Sequence, residues 1–339
     1  MVNVGIVGAT GYAGEELISI LLKHPYARIT SVSAKIDKPA PISRIFPRFK
    51  NLIDLICSEP DIEDIVSKCD LVFLALPHTV SMEIAPRILK YGRKVIDLSA
   101  DYRLKDVEVY RRFYQKKHKD KVNLRQSVYG LPEIYRQKIK NATLIANPGC
   151  YPTAAILAIA PAIACDMIDF DNIIIDAKSG FSGAGRRLSL DLLFSEINED
   201  CRAYKVNTHQ HMPEINQVLS GLAGKKVNVT FVPHLLPLNR GILVTAYLKK
   251  KKSAKGKIQN FNQLYNKFYK KEPFVRIKEA GFFPRLKDVI GTNFCDIGIK
   301  EDKDDVIIIC AIDNLLKGAS GQAVQNMNIM YKFPEQAGL

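Results

Sequence analysis

The stretch Val4-Gly5-Ile6-Val7-Gly8-Ala9-Thr10-Gly11-Tyr12-Ala13-Gly14-Glu15 reads as an apolar strand, a glycine-rich turn and a helix that continues through Leu17, Leu21 and Leu22. Its glycines fall in a Gly-x-x-Gly-x-x-Gly spacing between strand and helix. There, backbone N–H groups and the helix dipole can receive a pyrophosphate; the competing reading is a tight turn and nothing more. Further strands fit Arg28 to Ala34, a short Asp54 to Cys57 segment, Asp70 to Leu76, Arg93 to Leu98 and Asn141 to Ala146. The Asp70 and Arg93 runs are near-continuously apolar, as strands covered on both faces are. A helical spacing over Val80 to Lys90 separates them, and strand alternating with helix predicts a parallel, doubly wound α/β sheet.

After Pro148-Gly149 the chain predicts a helix over Cys150 to Ala164, apolar on nearly every face and therefore buried between layers. Beyond it, strand-like runs at Asn172 to Ala177, Val227 to Val232, Gly241 to Leu248, Asn293 to Gly298 and Asp305 to Ile312 have few strong helices between them. That pattern predicts an α+β domain with a largely antiparallel sheet. A length of 339 residues fits about two domains. The expected division is 1–149 with 314–339 against 150–313. The Lys-rich run Lys249 to Lys257 reads as a solvated hairpin tip.

Composition removes several classes. With 47% hydrophobic and 25% charged residues, 20 Gly and 17 Pro, the chain is neither disordered nor collagen-like nor of low complexity. A net charge of +14 suits nucleic acid, an anionic cofactor, acidic substrates or a soluble surface. The lysines show no interleaved aromatics and no known nucleic-acid module, so nucleic acid is not expected. The longest apolar stretch, Ala154 to Cys165, is broken by Pro161 and falls short of the ~18 to 20 residues of a membrane span. No signal-peptide pattern opens the chain, and the expected address is the cytoplasm. Seven cysteines without a Cys-x-x-Cys pair point to reduced thiols.

Four segments carry chemistry. Ser33-Ala34-Lys35 closes the second strand with a hydroxyl and a cation where NAD-selective sites place an acid, which favours NADP. Asn147-Pro148-Gly149-Cys150-Tyr151-Pro152-Thr153 sets a thiol at a helix N-terminus, where the dipole favours the nucleophilic thiolate; the alternative is an inert, buried cysteine. Lys178 to Arg187, with four glycines or serines before Gly185 and two terminal arginines, can wrap an anion or form a plain loop. Thr208 to Glu214 carries His209 and His211 on one side of an apparently extended segment, open to metal binding, acid/base chemistry or a structural role. The absence of a nearby third ligand speaks against metal.

Taken in order with Asp97 to Arg103, Pro233-His234-Leu235, Arg240 to Leu243 and Asp313 to Ala319, these motifs resemble the N-acetyl-gamma-glutamyl-phosphate reductase family of the aspartate-semialdehyde-dehydrogenase superfamily. The likeness runs from Val4 to about Met330. It implies a Rossmann-like NADP domain, a catalytic domain like that of glyceraldehyde-3-phosphate dehydrogenase, a final helix after Asn314 that returns to the first domain, and a homo-oligomer, dimer or tetramer. It further implies Cys150 as nucleophile and His211 as acid/base with His209 beside it. Gly8, Thr10, Gly11, Tyr12, Ala13, Gly14, Ser33, Ala34, Lys35 and Asn314 are implied around NADP(H). Arg103, Ser182 and Gly183 are implied at a small acyl phosphate substrate. Gln210 and Ala34-Lys35 depart from the residues usual at those places. Rival readings are a reductase of a carrier-bound glutamyl or aminoadipyl phosphate, an aspartate-semialdehyde dehydrogenase, a nucleic-acid binder and a non-catalytic nucleotide-binding regulator.

Overall fold

In a computed structural model of the chain, which describes residues 1–186, 189–251 and 260–339, the N-terminal apolar run forms β1 (Val2–Val7). Val4, Ile6 and Val7 are at most 1% exposed, and each such buried side chain contributes roughly 1.5–3 kcal/mol. The chain continues through β2 (Ala27–Ser33), β3 (Ala40–Pro41), β4 (Ile56–Cys57), β5 (Leu71–Leu74), β6 (Lys94–Asp97), β7 (Val128–Tyr129) and β8 (Leu144–Ala146). Six of these form one sheet in the order β2-β1-β5-β6-β8-β7, and every pairing in it is parallel. Val7 lies opposite both Ser33 and Leu74, so the strand order reverses between β1 and β5. The crevice beyond the carboxyl ends of strands at such a reversal is where doubly wound sheets bind nucleotides.

The short strand read at Asp54 to Cys57 is smaller, and the residue after it, Ser58, forms a single parallel bridge to Ser33 at the end of β2. Only Ile56–Cys57 is extended, and it pairs antiparallel with Ala40–Pro41 in a separate ladder. Ile56 is 55% exposed while Cys57 is fully buried, and the Ala34 N–H donates to the Ser58 carbonyl just beyond.

Two compact units divide the chain, Met1–Gly149 with Ala319–Leu339 and Cys150–Gly318. The return to the first unit therefore falls at Ala319 and not at Asn314. Asn314 belongs to the second unit because its carboxamide is hydrogen-bonded to Gly241 and Ser182 there. In the first unit the helix Gly321–Met330 is buried along its whole length, although four of its ten residues are Gln or Asn. Their amides are spent inside the unit. Gln322 and Asn326 both donate to the Gly130 carbonyl, and Asn328 bonds the His24 ring and donates to the Glu335 and Ala337 carbonyls.

The second unit is built on β9 (Ile173–Gly180), β10 (Arg202–Ala203), β11 (Val229–Leu236), β12 (Ile242–Lys249), β13 (Val275–Ile277), β14 (Cys295–Glu301) and β15 (Asp305–Ile312). Their order is β10-β11-β9-β12-β15-β14-β13. The β9–β11 and β13–β14 pairings are parallel and the rest antiparallel. The helix Cys150–Ala164 packs on β12 and β15 and is buried from Tyr151 to Ile163. Pro161 inside it removes the N–H that would bond the Leu157 carbonyl. The buried Tyr269 hydroxyl donates to that carbonyl instead, at 2.7 Å, and Tyr265 donates to Ala158 at 2.6 Å. Both tyrosines come from or border the helix Phe261–Phe268.

Of the Lys-rich run, Lys249 and Lys250 pair with Asp305 and Glu301. Its continuation through Lys257 lies outside the described residues, as does Arg187. Among the described residues no helix is long and apolar enough to cross a membrane.

Candidate active site

Cys150 is the first residue of its helix and is partly accessible, so its sulfur sits at the positive end of the helix dipole. Close packing holds it there. A Cβ added to Gly318 would come within 2.8 Å of the Cys150 Cβ, so only glycine lets the Asn314 to Gly318 segment run against the thiol. That segment is fixed by Asp313, which is fully buried. One Asp313 oxygen accepts from the Leu315 and Leu316 N–H groups at 2.8 and 3.1 Å. The other accepts from Gly291 N–H at 2.8 Å and lies 3.3 Å from the Arg240 Nε.

The histidines do not lie on an extended segment. Thr208 to Gln210 turn, and His211, in helical conformation, is the N-cap of the helix Met212–Ala223. Pro213 in the first turn of that helix suits the start of a helix, where no intrahelical N–H is needed. The turn still brings the two rings together, with centroids 4.9 Å apart. The Tyr151 ring meets His209 and His211 edge-on at 5.4 and 6.0 Å, and Tyr204 and Phe231 meet His209 at 5.5 and 5.6 Å. His209 is 8% exposed. Its Nδ1 accepts the His211 backbone N–H at 3.0 Å, so a neutral His209 carries its proton on Nε2. Burial pushes the Tyr151 phenol well above the usual range and that of Tyr204 up to about 12, and the neighbouring Cys150 charge adds to both. Both therefore stay neutral donors beside the thiol.

Ser182 begins no flexible loop. Phe181–Ala184 forms a short 3-10 turn laced to the 238–241 segment: Phe181 N–H donates to Leu238 and Ser182 N–H to Asn239. Asn314 joins the two, its amide donating to Ser182 Oγ at 2.9 Å while its oxygen accepts Gly241 N–H at 2.7 Å. Gly183 is exposed beside them.

In the first unit, Gly8 has φ +91°, and a Cβ there would lie 2.2 Å from the Ala75 carbonyl oxygen. The turn is tied to the end of β2, since the Gly8 and Ala9 N–H groups both donate to the Ser33 carbonyl. Thr10, Gly11, Tyr12 and Ala13 lead from it into the helix Tyr12–Leu21, whose N-cap is Gly11, and Gly14 packs against the Gly8 carbonyl. Ser33 is 3% exposed and its Oγ finds no hydrogen-bond partner among the described residues. Ala34 is buried and Lys35 exposed. A helix N-terminus, an orphaned buried hydroxyl and a lysine in place of an acid fit a dinucleotide phosphate. Arg103 is 4% exposed, and its guanidinium donates to the Asn147 and Leu98 carbonyls at 2.7 Å each. Among the described residues no cluster of three or more His, Cys, Asp or Glu could hold a metal.

Known proteins match both units. Residues 3–142 match the semialdehyde dehydrogenase NAD binding domain and residues 150–314 the semialdehyde dehydrogenase dimerisation domain. Proteins named N-acetyl-gamma-glutamyl-phosphate reductase from Pelotomaculum thermopropionicum and Citrifermentans bemidjiense are 48% and 49% identical to this chain. The matches cover all of this chain and 97% and 98% of those proteins. The chain belongs to the N-acetyl-gamma-glutamyl-phosphate reductase family. Its fold is that of aspartate semialdehyde dehydrogenase II from Vibrio cholerae, solved with ASA, and of the Candida albicans aspartate semialdehyde dehydrogenase, solved with NADP. Both have TM-score 0.74 at 16% and 14% identity, over 98% of each chain.

Of the residues singled out in the sequence, Cys150, His209, His211, Ser182, Gly183 and Asn314 all lie in the second unit, and Gly8 to Gly14, Ser33 to Lys35 and Arg103 in the first. Three partners were not legible as such. Tyr151 and Tyr204 look like ordinary core aromatics in sequence, and the Arg240–Asp313 pair spans 73 positions. The Asn147 to Thr153, Arg240 to Leu243 and Asp313 to Ala319 motifs marked the places of Tyr151, Arg240 and Asp313 without their pairings, and nothing marked Tyr204.

Proposed function

We propose that this reductase converts N-acetyl-L-glutamyl 5-phosphate to N-acetyl-L-glutamate 5-semialdehyde and phosphate, using NADPH, in arginine biosynthesis. The observation that carries the reading is a helix-start thiol next in the chain to Tyr151, whose ring meets both imidazoles edge-on. A free carboxylate resists hydride because its carbonyl is electron-rich; an acyl phosphate yields to a thiolate. Cys150 attacks the acyl carbon, the tetrahedral oxyanion collapses, the C–O bond to phosphate breaks and a thioester remains. Bound at the Gly8 to Gly14 turn, with Ser33 and Lys35 at its 2′-phosphate, the nicotinamide cofactor supplies the hydride. The histidine then protonates the carbonyl-derived oxygen and later reclaims that proton as aldehyde and thiolate separate.

Of the two histidines we assign proton transfer to His209 rather than His211. The backbone N–H on its Nδ1 fixes the tautomer and leaves Nε2 to exchange the proton. His211, at the N-terminus of Met212–Ala223, suits an anionic group of the substrate. Ser182, Gly183 and Arg240 line the same laced segment and are assigned to substrate. Asn314, with both ends of its amide engaged, holds that segment for cofactor and substrate. Arg103 is assigned to the substrate as a positioned cation, because Nε and Nη2 donate to the Asn147 and Leu98 carbonyls and hold the guanidinium in place. The match to a dimerisation domain supports a homo-oligomer, and we place the enzyme in the cytoplasm.

The reverse reaction tests the substrate. With NADP and phosphate, N-acetylglutamate 5-semialdehyde is expected to give phosphate-dependent NADPH formation, and aspartate semialdehyde little or none. Activity with aspartate semialdehyde alone would overturn the assignment. Cofactor choice has its own test: Lys35→Glu should raise the KM for NADPH much more than that for NADH, because a carboxylate repels a 2′-phosphate that NADH lacks. Equal weakening of both would place Lys35 away from that phosphate.

A further inference from the structure

Of the motif Asp97 to Arg103, which closes β6, the proposed reaction uses only the arginine. Two of its other residues, Ala100 and Asp101, are turned onto the segment that leaves the neighbouring strand β5. The Ala100 N–H donates to His78 Nδ1 at 3.1 Å. Asp101, fully buried, accepts the Thr79 N–H at 2.7 Å, the Met82 N–H at 3.0 Å and the Tyr110 hydroxyl at 2.7 Å. Thr79 has φ 76°, a left-handed conformation rare for a β-branched residue, which persists only where the surroundings impose it. The bond to the Asp101 carboxyl group holds it there. His78 is exposed, with the Tyr114 ring edge-on to it at 5.3 Å. Because Nδ1 accepts a backbone N–H, a neutral His78 carries its proton on Nε2.

This held segment stands at the reversal in strand order. In the run β2-β1-β5-β6, the end of β2 carries Ser33 to Lys35 and the end of β1 leads into the Gly8 to Gly14 turn, the places given above to the 2′-phosphate and the pyrophosphate. Adjacent strands lie about 4.8 Å apart, so a dinucleotide laid across β2 and β1 runs on over the ends of β5 and β6. Gly8 approaches the carbonyl of Ala75, the first residue after β5. Further along, His78 bridges the ends of β5 and β6 through its bond to Ala100.

We propose that His78 is a cofactor-binding residue whose Nε2–H donates to the ribose on the nicotinamide side of the dinucleotide, presented there by Ala100 and Asp101. A ribose hydroxyl is an acceptor for a neutral imidazole N–H. The adenosine ribose, at the end of β2, is two strand spacings away from β5, roughly 10 Å. This inference rests on the reading of the Gly8 to Gly14 turn as the pyrophosphate site.

The test compares two ligands. NADPH carries both halves of the dinucleotide, whereas adenosine 2′,5′-bisphosphate carries the adenosine half alone. His78→Asn removes Nε2, and the Asn Oδ1 can accept the Ala100 N–H in place of Nδ1. It is expected to raise the Kd for NADPH about 3- to 10-fold, the loss of one neutral hydrogen bond. The Kd for the bisphosphate and the melting temperature should stay close to wild type. Lys35→Glu, by contrast, should weaken both ligands, since both carry the 2′-phosphate. A second readout uses the wild-type protein. Of the six histidine ring signals in its NMR spectrum, the one absent from His78→Asn and from His78→Gln should move on adding NADPH and stay in place on adding the bisphosphate. An unchanged Kd for NADPH in folded His78→Asn, equal weakening of both ligands, or a His78 signal that NADPH leaves in place or the bisphosphate moves equally overturns the proposal. Wild-type protein that binds neither ligand would defeat the cofactor reading itself, and this inference with it.

Discussion

Cys150→Ser is expected to abolish turnover in both directions while NADP binding, measured by fluorescence or calorimetry, stays at the wild-type level. A hydroxyl at the same helix start is scarcely ionised near neutral pH and is a far poorer nucleophile toward an acyl phosphate. The other cysteines sharpen the expectation. Burial pushes the thiols of Cys57, Cys69 and Cys165 up, away from the thiolate. Cys295 and Cys310 are fully buried with sulfurs 3.3 Å apart on adjacent strands, and Cys201 is exposed outside any helix. Serine at any of these six should retain turnover, at some loss of stability where the sulfur is packed. Wild-type turnover in Cys150→Ser would sink the covalent scheme.

The second large effect belongs to His209. His209→Asn removes the proton carrier and should lower kcat by ~10²- to 10⁴-fold, the usual worth of a positioned acid/base, while Cys150 still reacts with acyl phosphate and releases one equivalent of phosphate per site. His211→Asn should act chiefly on KM, because His211 is assigned to the substrate's anionic group at a helix N-terminus. The reverse pattern, with kcat lost in His211→Asn and KM raised in His209→Asn, would return proton transfer to His211, where the family resemblance puts it.

The histidine segment lies at the boundary of what the sequence made legible. Segments whose apolar run is near-continuous came through to the residue: Cys150–Ala164 and Asp305–Ile312 have the bounds those runs predict. The β1 turn did too, because a tight turn with φ +91° beside the Ala75 carbonyl leaves a glycine signature. What failed was structure decided by partners distant in the chain. Thr208 to Glu214 lacks helical periodicity at its start, and Met212–Ala223 shows only once Pro213 is read as a first-turn residue. The final helix is where the resemblance implied it, but the burial of its Gln and Asn side chains depends on carbonyls that Gly130, Glu335 and Ala337 offer to them. The two carbonyls that hold the Arg103 guanidinium, Leu98 and Asn147, are likewise not legible in the sequence. The tautomer of His209 rests on one backbone N–H, which no residue pattern encodes.

The central claim is that the acyl group passes through Cys150, and trapping it is the most direct test. Wild-type protein mixed with N-acetylglutamyl 5-phosphate in the absence of NADPH, quenched in acid and digested, should yield one peptide carrying the N-acetylglutamyl group on Cys150, with one phosphate released per site. Hydroxylamine should remove the group, as it does from thioesters, and NADPH added before the quench should discharge it as aldehyde. Full turnover with Cys150 unmodified under every quench, or the acyl group found on another residue that NADPH discharges, would contradict the account.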